Sequence, residues 1–301
     1  MAGKGFHGGA ATLSLESFVP AIVFLLMTIV GADIAPAQLA AVLRTPRMLL
    51  AATLAQAVVL PLLAVLIIWI LRPPAALAGG LLLVAASPGG ALSNYYCTLA
   101  RLNVPLSVTL TFLSSALALA AMPLLLVVIV PAALGVAAFG VPVGELAVRL
   151  LLFVMFPVGL GMALRRLWPL VIERNARTIR VTGMVLLAAF LVLVLVDQKD
   201  AAHAMLYDAG LVIAGFTALA LLAGWQTARL LSLPRVGRAV FAVEFSVRNV
   251  GIAAVLALTT FQQPEFAAFG ALFLVIQFPL LVLASLLIRK TDAARPLQGR
   301  Y

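Results

Sequence analysis

Charge is what this sequence has least of. Charged residues make up 10% of its 301 positions, against 64% hydrophobic ones. A soluble domain of this length needs about a quarter of its residues charged to cover its surface. That coverage is missing here, so lipid has to be the solvent for most of the chain. Other shortages narrow the class further. A single cysteine, Cys97, excludes an intrachain disulfide. The two histidines, His7 and His203, fall in the N-terminal segment and in an expected outer loop, which leaves no imidazole for a transition-metal site at membrane depth. The apolar stretches are continuous rather than alternating, which excludes a transmembrane β-barrel.

What is present is a series of long apolar runs, each near the ~20 residues that a bilayer core requires. They predict about nine transmembrane helices, near 18–35, 47–70, 75–98, 104–131, 143–164, 180–197, 206–229, 237–260 and 266–288. The net charge of +10 would suit a nucleic-acid partner, but its distribution follows membrane topology instead. When alternate loops are assigned to two sides, one side receives Arg44, Arg47, Arg101, Arg165, Arg166, Arg174, Arg177, Arg180, Arg229, Arg235, Arg238, Arg289, Lys290, Arg295 and Arg300. The other receives Lys4, Arg72 and Lys199. The basic-rich side is expected to be cytoplasmic, with the N-terminus outside and the C-terminus inside a bacterial inner membrane. Segment 1–16 is then an extracytoplasmic tail, 17–288 the membrane domain and 289–301 a cytoplasmic tail.

Ionisable and polar groups at membrane depth are functional candidates by default, because they are costly there. Glu244, Arg248 and Asn249 lie together in the run Phe241–Gly251, FAVEFSVRNVG. Arg149 follows Glu145 by four residues and reads as a snorkelling helix pair. The third span carries Ser87–Asn94, SPGGALSN, where Pro88, Gly89 and Gly90 interrupt the helix and Ser93 and Asn94 add oxygens. The third and eighth spans run in opposite directions and both are interrupted, the sequence sign of an inverted-repeat transporter with its site near the midplane. Such breaks are expected to leave carbonyls free toward a cavity or an ion. Ser107 and Thr111 lie four apart on one helix face, and Gln56 is an amide within the second span. Hydroxyl, amide and carboxylate oxygens are the ligands of a small hard cation.

At these residues the sequence resembles the bile acid:sodium symporter family. The resemblance runs along nearly the whole chain and is strongest at Ala55–Pro61 (AQAVVLP), Ser87–Thr111 (SPGGALSNYYCTLARLNVPLSVTLT), Val243–Ala254 (VEFSVRNVGIAA) and Gly270–Phe273 (GALF). It implies an all-α fold in which two crossing broken helices sit in a core domain of inverted repeats, about 47–131 and 206–288. A panel domain would comprise about 17–46 and 143–197. It further implies one sodium site at Ser93, Asn94, Ser107, Thr111 and Glu244. A second would use Gln56, Glu244, the backbone of Phe245 and Val247, and a glutamine side chain where this sequence has Arg248. A guanidinium keeps its proton and offers no acceptor, so that second site is expected to be degenerate. Arg248 would then pair with Glu244, one turn away, stand in for the second ion, or bind a substrate carboxylate together with Asn94, Asn249 and Gln277.

The function expected is symport of an organic anion with Na+ as coupling ion, and no protein or nucleic-acid partner is implied. A sodium-independent carrier resembling auxin efflux carriers, or a membrane receptor, are the alternatives. An intramembrane enzyme is disfavoured, since no Ser/His/Asp, paired Asp or HExxH arrangement appears at membrane depth.

Overall fold

The computed structural model describes residues 15–33, 46–134, 148 and 151–293. Glu145, Arg149 and Arg44 lie outside these residues, as do 1–14 and 294–301 of the two expected tails, whose remaining residues belong to helices. The described chain is helical: α1 (Leu15–Asp33), α2 (Pro46–Leu71), α3 (Ala75–Ala86), α4 (Leu92–Leu99), α5 (Val104–Leu134), α6 (Phe156–Leu167), α7 (Pro169–Arg174), α8 (Ala176–Asp197), α9 (Lys199–Leu230), α10 (Arg235–Ser246), α11 (Val250–Val255) and α12 (Pro264–Ala293). Wider π-type turns at Leu151–Met155 and Leu256–Thr260 lead into α6 and continue α11. The segments 48–71, 176–197, 199–230 and 264–290 are each long and apolar enough to cross a bilayer. The chain is therefore an all-α polytopic membrane protein. The helices coincide with the apolar runs because each run supplies its own backbone hydrogen bonds, which lipid cannot. One boundary differs from expectation: only Gln198 separates α8 from α9, so His203, expected in a loop, sits in the first turns of α9.

Large side chains face outward where lipid is the solvent, as with Trp69, Leu170, Leu211 and Leu283. Inside, small residues let helices approach. A Cβ on Gly31 of α1 would strike the carbonyl of Val158, and one on Gly161 of α6 would strike that of Thr28, so α1 and α6 are nearly in backbone contact. α1 also packs on α8. α2 packs on α3, α5 and α9, while α12 packs on α3, α9 and α11. The broken pairs α3–α4 and α10–α11 lie within this second group of helices, and Glu244 and Arg248 are the charged residues among the buried ones described.

Candidate functional site

Both breaks arise where the helical ladder is interrupted in the sequence. α3 ends before Pro88, and the Ser87 backbone is already extended (φ −65°, ψ 155°), as the residue before a proline prefers. α10 ends at Ser246, with Val247 extended (φ −89°, ψ 116°), and α11 restarts under a cap in which Asn249 Oδ1 accepts from the Ile252 amide at 3.2 Å. The two extended pieces cross and pair as a short antiparallel bridge between Gly89 and Arg248. Gly90 N donates to Val247 O at 3.1 Å and Asn249 N donates to Pro88 O at 2.8 Å. The two bonds exchange if the breaks are exchanged. Glycine is required here for closeness: a Cβ on Gly90 would lie 2.6 Å from Arg248 O.

Four of the carbonyls at the breaks are taken by protein donors, where the sequence led us to expect them free. Pro88 O and Val247 O serve the bridge. Glu244 O accepts from Gln56 Nε2 at 2.9 Å, and Ser246 O accepts from Gln277 Nε2 at 2.8 Å. Two glutamines from different helices therefore close the last turn of α10, satisfying acceptors that every helix C-terminus leaves over. Gln277 reaches Thr217 Oγ1 as well, at 3.3 Å, and is 1% exposed. It braces the break and does not line the cavity beside Arg248. Its bracing role was missed from sequence, although an amide opposite an interrupted helix was the available signal.

With its backbone secured, Glu244 turns its carboxylate toward α4 and α5. Thr111 Oγ1 donates to Oε1 at 2.6 Å and Ser107 Oγ donates to Oε2 at 2.9 Å. Ser93 Oγ lies 3.3 Å from both hydroxyls. Ser93, Ser107, Thr111 and Glu244 are all buried, so four expected ligands form one oxygen cluster. Asn94 follows Ser93 on α4; its Oδ1 is buried and has no hydrogen-bond partner among the described residues. Gly89 forms the wall of the cluster, because a Cβ there would stand 2.7 Å from Glu244 Oε1. Its amide donates to Ser114 Oγ at 2.9 Å.

Arg248 does not pair with Glu244, as the spacing of four had suggested. That spacing brings side chains together only in an unbroken helix, and the chain leaves the helix at Val247 between them. Glu244 faces the hydroxyls of α5, while Nε and Nη1 of Arg248 have no hydrogen-bond partner among the described residues. Arg248 instead lines a cavity with Thr53 and Gln56 of α2, Ser87 and Pro88 of the first break, and Ser114 of α5. Of the expected second cation set, Gln56 and Arg248 share this cavity, Val247 O is engaged with Gly90 N, and neither Phe245 nor Glu244 is among the lining residues. Asn249 faces the other way, its Nδ2 3.9 Å from Met27 Sδ on α1.

Two breaks crossing beside an oxygen cluster is transporter architecture, and comparison with known proteins gives it a family. The sequence profile described as the Sodium Bile acid symporter family matches residues 20–203, more than half of the chain. The chain belongs to this family. Membership sets it among membrane transporters. The match contains the first broken helix and the hydroxyls of α4 and α5; Glu244 and Arg248 lie beyond it. An uncharacterized sodium-dependent transporter of Bacillus subtilis (strain 168), YocS, is 26% identical over 261 residues, which cover 85% of this chain and 78% of the relative.

Proposed function

We propose that this protein couples the entry of Na+ to the transport of an organic anion by alternating access, with Ser93, Asn94, Ser107, Thr111 and Glu244 as the sodium ligands. The observation that carries the reading is the cluster at the crossover, in which one carboxylate and three hydroxyls converge in a buried space with no nitrogen donor among them. Such a set suits a hard cation. Each hydroxyl has two lone pairs, so Ser107 and Thr111 can turn their hydrogens away from Glu244 and offer oxygen to the ion. Thr111 already has another acceptor in place, Ser107 O at 3.1 Å. The buried Asn94 Oδ1 supplies an uncommitted acceptor next to Ser93.

Alternating access would move α2–α5 with α9–α12 against α1, α6 and α8, in keeping with the core at about 47–131 and 206–288 and the panel at about 17–46 and 143–197. Cytoplasmic placement of the basic-rich loops follows from the same reading. The direct test is binding of radioactive sodium to purified protein and uptake of organic anions in vesicles with and without sodium. Glu244→Ala is expected to abolish sodium binding while leaving a folded protein. Wild-type sodium dependence in that variant would refute the ligand assignment. Sodium-independent uptake by the wild type would favour an ion-uncoupled carrier instead.

A further inference from the structure

α6 and α8 are joined by α7, a six-residue helix set between two bends of the backbone. The chain leaves α6 at Trp168 (φ −128°, ψ 59°) and enters α8 at Asn175 (φ −101°, ψ 10°). Asn175 Nδ2 fixes the second bend by donating to Val171 O at 2.8 Å. Arg165 ties the first one down: it donates to Ala32 O at 3.0 Å and stands 3.7 Å from Glu173 Oε1. A helix of this length rises only ~9 Å, so α7 cannot cross a bilayer. Its apolar side chains nevertheless face outward, and Leu167, Trp168, Leu170 and Val171 are each more than half exposed. Arg165 and Arg166 precede them and Arg177 follows them, which sets their depth at the headgroups rather than in the hydrocarbon. Tryptophan is favoured at that level. The charge of the corner is unbalanced. Glu173 is the acidic residue of segment 165–177, and Arg165 engages it. Arg166, Arg174 and Arg177 are exposed and have no ion-pair partner among the described residues.

We propose that this corner binds an anionic phospholipid, its phosphate drawn by the guanidiniums of Arg166, Arg174 and Arg177 and its acyl chains lying against Leu167, Trp168, Leu170 and Val171. Guanidinium donors match phosphate oxygens in geometry as well as charge. Basic groups beside an amphipathic segment at the membrane surface attract anionic headgroups. The exposed apolar side chains favour a lipid over free phosphate, because only a lipid covers them. On the topology proposed above, the leaflet is the cytoplasmic one. The proposal depends neither on the substrate carried nor on sodium.

Trp168 supplies the readout. The other tryptophans, Trp69 and Trp225, are replaced by phenylalanine, and the full-length protein is placed in mixed vesicles of phosphatidylglycerol and phosphatidylcholine, with bromine on the acyl chains of one lipid or the other. Quenching of Trp168 fluorescence then reports which lipid sits beside it. Phosphatidylglycerol is expected to be preferred about tenfold or more at low ionic strength, and the preference to fall as salt rises. Each guanidinium near an anionic surface is worth about fivefold. Arg174→Gln, a single change on the exposed α7, is expected to lose about that factor. Glutamine at Arg166, Arg174 and Arg177 together is expected to abolish the preference. Glutamine at Arg101, Arg229 and Arg289, on the same expected side but outside this segment, is expected to leave it unchanged, and inorganic phosphate is not expected to displace the lipid. Equal quenching by the two lipids, a preference that survives the Arg174→Gln and triple changes, one that the control changes remove equally, or displacement by inorganic phosphate would each overturn the proposal. Sodium binding is measured separately and stands or falls on its own.

Discussion

If Glu244 holds one cation and Arg248 one anion, transport of a monoanion carries no net charge. The consequence is measurable because the membrane potential acts on every net charge moved, at about 2.3 kcal/mol per 100 mV. A carrier moving two sodium ions with one monoanion would gain that much at −100 mV, and its accumulation ratio would rise about 50-fold. A one-to-one carrier would gain nothing. The second case is expected if Glu244 and Arg248, the charged residues among the buried ones described, each serve one ligand. The assay is uptake of a monoanion into proteoliposomes in which potassium and valinomycin set the potential between 0 and −100 mV. Wild type is expected to show a sodium Hill coefficient near one and uptake that does not change with potential. Arg248→Gln removes the fixed charge beside Gln56, so a second cation is expected to enter, raising the Hill coefficient toward two in any uptake that remains. Steep potential dependence in the wild type would refute the charge assignment.

Further tests follow from individual contacts. Gly89→Ala places a methyl 2.7 Å from Glu244 Oε1 and 2.9 Å from Ser114 Oγ, so sodium affinity measured by isotope binding is expected to fall at least tenfold. Ser107→Ala and Thr111→Ala each remove one neutral ligand and are expected to weaken sodium binding less than Glu244→Ala does in the same assay. Gln277→Leu leaves the Ser246 carbonyl without its amide donor, a loss of about 1–3 kcal/mol, read as a lower unfolding midpoint in nanodiscs. A reporter fused after Tyr301 is expected to be active in the cytoplasm; activity confined to the periplasm would reverse the topology.

The helices were legible because apolar run length is a direct consequence of bilayer thickness, and the breaks were legible because Pro88, Gly89 and Gly90 cannot sustain a ladder. That Ser107 and Thr111 share a face was legible from helical periodicity, whereas their meeting with Ser93 and Glu244 was implied only by the family resemblance. The bridge between the breaks was not legible. That Gly90 meets Val247 and Asn249 meets Pro88 depends on how two distant segments cross, which no local pattern specifies. The roles of Gln56 and Gln277 were hidden for the same reason, because each caps a carbonyl on a helix far away in sequence.

Arg248 shows how a break changes the meaning of spacing. Four residues after a glutamate, an arginine on a continuous helix would neutralise it, and neither group would be available to a ligand. The extended Val247 separates the two. Glu244 stays on the helical side with the hydroxyls of α5, and Arg248 passes through the bridge into the cavity beside α2. The crossover thereby keeps an acid and a base four residues apart without letting them pair, which would give a cation and an anion adjacent sites. Mutual pairing would favour the empty carrier and oppose loading, because each ligand would first have to break it. Held apart, the two charges favour occupation of both sites together: a bound sodium makes the region more attractive to a carboxylate, and a bound carboxylate does the same for sodium. Reciprocity of binding free energies requires the two effects to be equal. Affinity for a transported organic anion is therefore expected to rise with sodium by the same factor as sodium affinity rises with that anion, and affinities that do not respond to one another would sink this account of coupling.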